Sequence, residues 1–582
     1  MFVPAFTCHK NTIFAAVMKN KRIFYLILFL WVCVDLLTAL FVNIHSDEAY
    51  YALYGARLAW GYYDHPPMVA LLAHCSDLLF DGILGVRFCT ILMHAGTLWL
   101  LWKTLAVEER DAPHAAVGFC IIASSLTMIV IYGFTNTPDA PLLFFTALFF
   151  YLYKKYVELP AGEASALSET PQKGHPSAGK GWLLATALGV TVAAMMYSKY
   201  MGVLVVAFVM LSNLRLLRDI RVWYALLLAL LLFTPHMVWQ VQNHFPSFTY
   251  HLIARNTHFR IAFPLEYIPN QLLVFNPIAL CLTLYFCWKR RKTVDLFEKA
   301  CLYTIVGFIL FFWVMTVKGH AEPHWTVAAS VPMLIVLFRN LHKEGWSKWI
   351  YRLILPMAAL LIVARIALCF NVLAKSTGYG SRKDYLSAIQ KLDIDRPVVF
   401  IETFQNPSLY RFYTGKDATT LSTLRGRRSQ YDILQLDTAW QGRPVIIFGN
   451  IPGAKDTVID NITIHYRNTG HFQGTNRIEV ELNQCDFLDG DSVRVHYTLT
   501  NPYPVNFDLA NTEFPVSITA VYKTKEGYQK YECPITERPS LYPNGWIRCT
   551  ASFPLLHNTP MVFSLYNGVC ETVNSKPHIL AP

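Results

Sequence analysis

Residues 19–51 read KNKRIFYLILFLWVCVDLLTALFVNIHSDEAYY. Lys19, Lys21 and Arg22 precede a long apolar run, and two adjacent carboxylates, Asp47 and Glu48, follow it. About 20 mostly apolar residues suffice to cross a bilayer core as a helix. The run is too long for a signal peptide and no small-residue cleavage site follows, so it predicts a retained membrane helix.

Similar runs recur at about 84–103, 115–133, 139–153, 182–198, 200–214, 222–241, 268–288, 299–317, 324–338 and 349–371, so with the first, at about 23–43, about eleven spans are predicted. The composition agrees. Of 582 residues 54% are hydrophobic, 14% aromatic and 15% charged, with a mean hydropathy of +0.32. Soluble chains carry about 25% charged residues. Intrinsic disorder, which needs low hydrophobicity and high charge, is excluded.

The net charge of +11 does not imply a nucleic-acid partner, because the cations sit in short clusters between apolar runs. Such clusters lie at Lys19–Arg22, Lys103 and Arg110, Lys154-Lys155, Arg215–Arg221, Lys289–Lys292 and Arg339–Lys348. With eleven spans all of them fall on one side, the cytoplasmic side by the positive-inside rule. The N-terminus is then cytoplasmic and the C-terminal region outside. The Gly/Pro/Ser-rich segment 157–181 reads as an inside loop. No internal repeat is visible, which argues against a transporter built from inverted repeats.

After the last span the chain reads as soluble. Val398–Ile401 and Val445–Phe448 are short buried strands, with helical stretches near 381–392 and 429–437. From 456 on, alternating runs at 478–482, 492–499, 516–521 and 561–565, with turns at Asp489-Gly490 and Lys525–Gly527, predict a β-sandwich. The expected domains are therefore a transmembrane domain 1–372, a small α/β subdomain 373–455 and a β-sandwich-like domain 456–582. The tail holds Cys485, Cys533, Cys549 and Cys570, with Cys533–Cys549 the first candidate pair in an oxidising compartment and free thiols the alternative. No cysteine or histidine spacing matches a zinc site.

Ionisable residues beside membrane spans are costly and therefore informative. They fall at His45-Ser46-Asp47-Glu48, at Tyr62-Tyr63-Asp64-His65-Pro66-Pro67, at Thr135–Pro141 around Asp139, at Ser198-Lys199-Tyr200, in the loop with His251, Arg255, His258 and Arg260, and at Lys318-Gly319-His320-Ala321-Glu322-Pro323-His324-Trp325. The Pro-Pro pair is expected to stop a helix and hold Asp64 and His65 in a turn. Tyr50–Trp60 reads as an amphipathic surface helix. In the eleven-span topology all these segments lie on the outer face. Acids there could deprotonate a hydroxyl, and cations could hold a phosphate.

The ordered set of Asp47-Glu48, Gly-Tyr-Tyr-Asp-His-Pro-Pro-Met (61–68), Thr-Pro-Asp (137–139), Ser-Lys-Tyr (198–200) and Lys-Gly-His-Ala-Glu-Pro-His-Trp (318–325) resembles the dolichyl-phosphate-mannose-protein mannosyltransferase-like family. That family, with its aminoarabinose-transferase and protein O-mannosyltransferase branches, belongs to the GT-C membrane glycosyltransferases. The resemblance covers roughly residues 20–350. It implies an inverting transfer of sugar from a polyprenyl phosphate to an acceptor hydroxyl outside the cytoplasmic membrane. It implies Asp47 as general base, with Glu48 and Asp139 as further catalytic carboxylates. Lys318, Arg255, His320 and Lys199 would bind the donor phosphate, and Asp64, His65, Tyr62, Glu322 and His324 would position substrate. Asp64-His65 departs from the Glu-Lys pair of the aminoarabinose transferases. No cofactor is required. Some relatives hold a structural metal near these loops, and His65, Asp139 and His320 are the residues here that could ligate one. The acceptor is a glycolipid, polysaccharide or protein. The single sequon at Asn461 and the unfamiliar tail favour a bacterial inner membrane. The competing reading is a polytopic transporter or flippase, which should place ionisable residues at mid-span rather than at the outer ends.

Overall fold

The computed structural model describes residues 5–159, 178–251, 259–345, 350–392, 394–401, 403–424, 426–488, 492–524, 527–557, 559–575 and 578. Arg255, His258, most of the 157–181 segment and the turn residues 489–490 and 525–526 lie outside them. The chain forms two compact units, Met1–Gly380 and Ser381–Pro582. The boundary falls beyond the expected 372 because the next residues pack on the helical unit. The Tyr379 hydroxyl meets Thr135 Oγ1 at 2.7 Å. Gly378 and Gly380, both with positive φ, lie against His45 and Asn43 so closely that a Cβ would come within 3 Å of either side chain.

The helical unit opens with α1 (Ala5–Phe41), α2 (Ser46–Gly55), α3 (Met68–Asp77) and α4 (Gly82–Thr104). Among the described residues seven helices are long and apolar enough to cross a membrane: Asn20–Phe41, Gly82–Thr104, Gly179–Ser198, Ile220–Gln242, Leu296–Met315, Pro323–Lys343 and Arg352–Cys369. Leu26, Phe29, Leu30 and Leu37 of α1 are exposed, as apolar side chains facing lipid must be. Three of the expected runs are shorter or bent helices. Runs 115–133 and 200–214 contain the shorter helices Ala115–Ser125 and Gly202–Ser212. Run 268–288 is two helices, Ala262–Phe275 and Pro277–Arg290, that meet at 98°. The break is Asn276, with φ 70°, whose side chain accepts from Ile278 N and so caps the second helix. Run 139–153 is the helix Asp139–Val157.

The basic clusters gather at one end of this unit. Arg339 pairs with Glu109 at 2.9 Å, Asp295 at 3.2 Å and Glu298 at 3.4 Å. Lys289 pairs with Glu344, Tyr156 with Asp219, and Asn20 donates to the carbonyls of Arg110 and Ala112. Asn20 and Phe41 are separated by roughly 30 Å of helix, so the α1–α2 elbow lies at the opposite end.

One finding departs from the expectation that ionisable groups sit at helix ends. Asp35 of α1, His94 of α4 and Arg365 of the Leu355–Cys369 helix are buried within their spans. His94 meets Asp35 at 2.7 Å, and Arg365 donates to Asp35 and to Thr38 Oγ1. Pairing offsets the cost of burying each charge and ties three helices together.

In the second unit β1 (Val398–Ile401), β2 (Ala418–Leu421), β3 (Val445–Phe448), β4 (Lys455–Ile459) and β5 (Ile462–Thr469) form one sheet in the order β2-β1-β3-β5-β4. The β2-β1-β3 part is parallel, with helix Gln405–Thr414 between β1 and β2 and helix Gln430–Leu434 between β2 and β3; helix Lys383–Gln390 precedes β1. β5 pairs antiparallel with β3 and β4, so this sheet runs past the expected boundary at 455. The remaining strands are β6 (Glu479–Leu488), β7 (Ser492–Thr500), β8 (Phe507–Asp508), β9 (Ser517–Thr524), β10 (Gly527–Pro534), β11 (Ser540–Leu541), β12 (Trp546–Pro554), β13 (Met561–Tyr566) and β14 (Glu571–Val573). Sheets β12-β7-β6 and β10-β9-β13-β14 are antiparallel. They share a core that includes Val495, Tyr497, Leu499, Ile518, Phe563 and Leu565, which makes the predicted sandwich. Among the described residues the four tail cysteines form no disulfide. The candidate pair, Cys533 on β10 and Cys549 on β12, is not bridged.

Candidate functional site

The expected loop after α1 is a helix start. His45 is the N-cap of α2: its Nδ1 accepts from Asp47 N at 3.2 Å, and its own N–H donates to Glu48 Oε2 at 3.1 Å. This reciprocal box places both carboxylates in the first turn, where the helix dipole favours negative charge. α2 then ends at Gly55, short of Trp60.

The neighbours differ sharply. Glu48 is fully buried and accepts four hydrogen bonds, from Arg87 Nε (2.8 Å), Arg87 Nη2 (2.6 Å), Asn136 N (3.0 Å) and His45 N (3.1 Å). Its acceptor capacity is filled. Arg87 in turn uses all five N–H groups, the other three on the carbonyls of Ala39, Val42 and Asn43. Glu48, expected among the catalytic carboxylates, is half of a buried ion pair that holds the elbow. The Asp47 side chain is 42% exposed and 3.7 Å from His45 Nδ1. The Tyr379 ring packs edge-on against His45.

Asp139 opens the Asp139–Val157 helix, buried, with Lys199 Nζ at 2.7 Å from its Oδ1. Lys199, expected among the phosphate-binding cations, is therefore the counter-charge of Asp139. Tyr132 lies against Asp139 and within electrostatic reach of Asp47, which brings the two acids to one neighbourhood.

The Asp64-His65 turn packs on α2. The buried Tyr54 hydroxyl faces Asp64 Oδ2 at 3.4 Å. Burial above all, then the neighbouring Tyr50 and the Asp64 carboxylate, hold the Tyr54 phenol well above its usual range, so it stays a donor. The His65 ring lies between those of Tyr51 (5.7 Å) and His251 (6.3 Å). Tyr62, expected to position substrate, is buried and stacked on Tyr54 at 4.1 Å. Its hydroxyl accepts from Ala59 N and lies by the carbonyls of Tyr54 and Arg57, so it holds the turn. Pro66-Pro67 does not simply stop a helix: Pro67 is the N-cap of α3. Leu58, Trp60, Met68, Leu71 and Tyr197 line an apolar cavity of about 450 Å³ beside this turn.

Lys318 lies just past the Leu296–Met315 helix, exposed, and pairs with no carboxylate among the described residues. His320 is 3.9 Å from Glu322 and edge-on to Phe263. His324 enters the 3-10 turn Pro323–Ala329. Arg255 lies outside the described residues. Among the described residues no group of three or more His, Cys, Asp or Glu could hold a metal ion, so His65, Asp139 and His320 do not form a ligand set.

Sequence reading missed Arg87, Tyr54, Tyr379 and the Asp35–His94–Arg365 set. Its available signal was an ionisable residue inside an otherwise apolar run, which applies to Asp35, Arg87, His94 and Arg365. Tyr54 and Tyr379 carry no such mark.

Residues 64–170 match the family described as dolichyl-phosphate-mannose-protein mannosyltransferase. The segment takes in Asp64, His65 and Asp139. ArnT from Cupriavidus metallidurans in the apo state matches 75% of this chain and 97% of its own, with a TM-score of 0.53 and 13% sequence identity. The same protein bound to undecaprenyl phosphate gives a TM-score of 0.52 at 14% identity with the same coverage. At such identities the likeness is one of fold. No curated protein sequence matches the chain.

Proposed function

We infer that this chain, a glycosyltransferase of the GT-C type by its family segment and its fold, moves a sugar from a polyprenyl-phosphate donor to an acceptor hydroxyl with inversion. The observation that carries the reading is the division of labour at the α2 N-terminus. Glu48 has no acceptor position left and is sealed from solvent, whereas the Asp47 side chain, one residue away, is 42% exposed and within reach of a substrate.

Asp47 is the general base. As the acceptor oxygen attacks the anomeric carbon, its proton passes to Asp47, and the bond from that carbon to the phosphate oxygen breaks on the opposite face. The leaving polyprenyl phosphate carries its charge on several oxygens, so cations rather than a strong acid assist departure. Lys318 is the leading phosphate ligand, with Arg255 and His320 as secondary candidates. Asp139, held by Lys199, faces the sugar, where a fixed negative charge favours the cationic character of the transition state. Asp64, His65, Glu322 and His324 position substrate. The 450 Å³ apolar cavity suits the first isoprene units. The site faces away from the cytoplasm, since the clustered cations lie at the opposite end of the bundle. The N-terminus is then cytoplasmic and the C-terminal unit periplasmic, in a bacterial inner membrane. The acceptor is a glycolipid, polysaccharide or protein hydroxyl.

Binding of polyprenyl phosphate tests the donor side. Lys318→Ala is expected to bind it roughly ten- to hundredfold more weakly than wild type, the loss of one hydrogen bond to a charged group, with an unchanged melting temperature. Equal affinities would remove Lys318 from the site.

A further inference from the structure

Three alternate carbonyls of the turn that carries Asp64 accept hydrogen bonds from one stretch of chain. His236 Nδ1 donates to Trp60 O at 2.7 Å, Ser247 Oγ to Tyr62 O at 2.9 Å, and His251 Nε2 to Asp64 O at 3.0 Å. A carbonyl only accepts, so each of these atoms carries a proton. Neutral His236 then accepts at Nε2, where the Tyr200 hydroxyl lies at 2.8 Å. Gln240 Nε2 donates to Tyr200 Oη at 3.1 Å and to Ser247 Oγ at 2.8 Å. This directs the Tyr200 proton to His236 and the Ser247 proton to Tyr62 O.

His236, Gln240 and Ser247 are fully buried, where directed hydrogen bonds are strong and rigidify what they join; of the amide of Gln240 only the nitrogen takes part, its Oε1 having no partner among the described residues. Gly61 lies between two of the capped carbonyls. A Cβ there would come within 2.3 Å of the Trp239 ring and 2.9 Å of His236 Nδ1, so turn and helix touch at a distance that glycine alone permits. The Ser-Lys-Tyr motif also gains a reason. Lys199 holds Asp139, and the next residue, Tyr200, holds the clamp.

We propose that His236, Ser247 and His251 are positioning residues that clamp the turn presenting Asp64 and His65 to substrate. The proposal rests on the reading of that turn as part of the donor site.

The two histidines donate through different nitrogens, and this supplies the test. The amide nitrogen of Asn falls near the Nδ1 position of His, and that of Gln near Nε2. In the full-length protein, His236→Asn and His251→Gln are expected to keep transfer within about threefold of wild type, whereas His236→Gln and His251→Asn lose roughly ten- to hundredfold, as for small misplacements of reacting groups. Hydrogen exchange of peptides covering 57–67 gives a readout independent of activity. The Ala59 and Tyr62 amides, bonded to Tyr62 Oη and His65 O, should exchange faster in His236→Gln, His251→Asn and Gly61→Ala, and at the wild-type rate in the two rescuing variants. Equal effects of Asn and Gln at each position, or unchanged exchange throughout, would overturn the clamp. A wild type silent toward every donor would instead defeat the transferase reading, and the exchange data would still decide the clamp.

Discussion

Asp47→Asn is expected to lower sugar transfer by roughly a hundred- to ten-thousandfold, the usual contribution of a positioned general base, with donor binding and melting temperature unchanged. Asn keeps the size and polarity of the side chain. The helix start survives as well, since the cap uses the Asp47 backbone N–H and the Glu48 carboxylate. Only the capacity to take a proton is lost. Single-turnover transfer from a bound polyprenyl-phosphate sugar reads the chemical step without interference from product release. A variant within threefold of wild type would exclude Asp47 as the base.

The second large effect is on stability. Arg87→Ala is expected to cost about 3–5 kcal/mol, the range for removing one partner of a buried ion pair. Glu48 would remain as an uncompensated charge in a fully buried position, and the carbonyls of Ala39, Val42 and Asn43 would each lose a donor. Arg87→Lys should restore little, because one ammonium cannot reproduce five donors in a planar fork. The double change Glu48→Gln with Arg87→Met removes both charges and should recover part of the loss. Thermal or denaturant unfolding of the purified protein reads all three. A stable Arg87→Ala variant would contradict the role assigned to Glu48, and with it the contrast that singles out Asp47.

That contrast also marks how far the sequence could be read. Asp47 and Glu48 are adjacent, and nothing local separates them. The difference comes from Arg87, 39 positions beyond Glu48, and from the Asn136 amide, 88 positions beyond it. Long apolar runs were legible because a bilayer imposes length and hydropathy on any spanning helix, as in Asn20–Phe41 and Ile220–Gln242. The 98° break at Asn276 was not, because hydropathy continues across it and the cap lies in a single side chain. Lys199 was legible as a cation beside a membrane span but not as the partner of Asp139, 60 positions away. Tyr62 sat in a recognisable motif, yet its hydroxyl bonds to the backbone of the turn itself. In the tail, the strict alternation of Trp546–Pro554 was present to be read. The β4–β5 pair was misassigned because its membership of the first sheet depends on pairing with β3 rather than on local pattern.

The central claim is that this chain cleaves a polyprenyl-phosphate sugar and inverts the anomeric carbon. Purified full-length protein incubated with a panel of such donors and a membrane extract as acceptor source tests it directly. The expected result is release of free polyprenyl phosphate from one donor, with a product of opposite anomeric configuration and no release by Asp47→Asn. Wild-type protein that is folded and binds polyprenyl phosphate, yet releases it from none of the donors, would contradict the account.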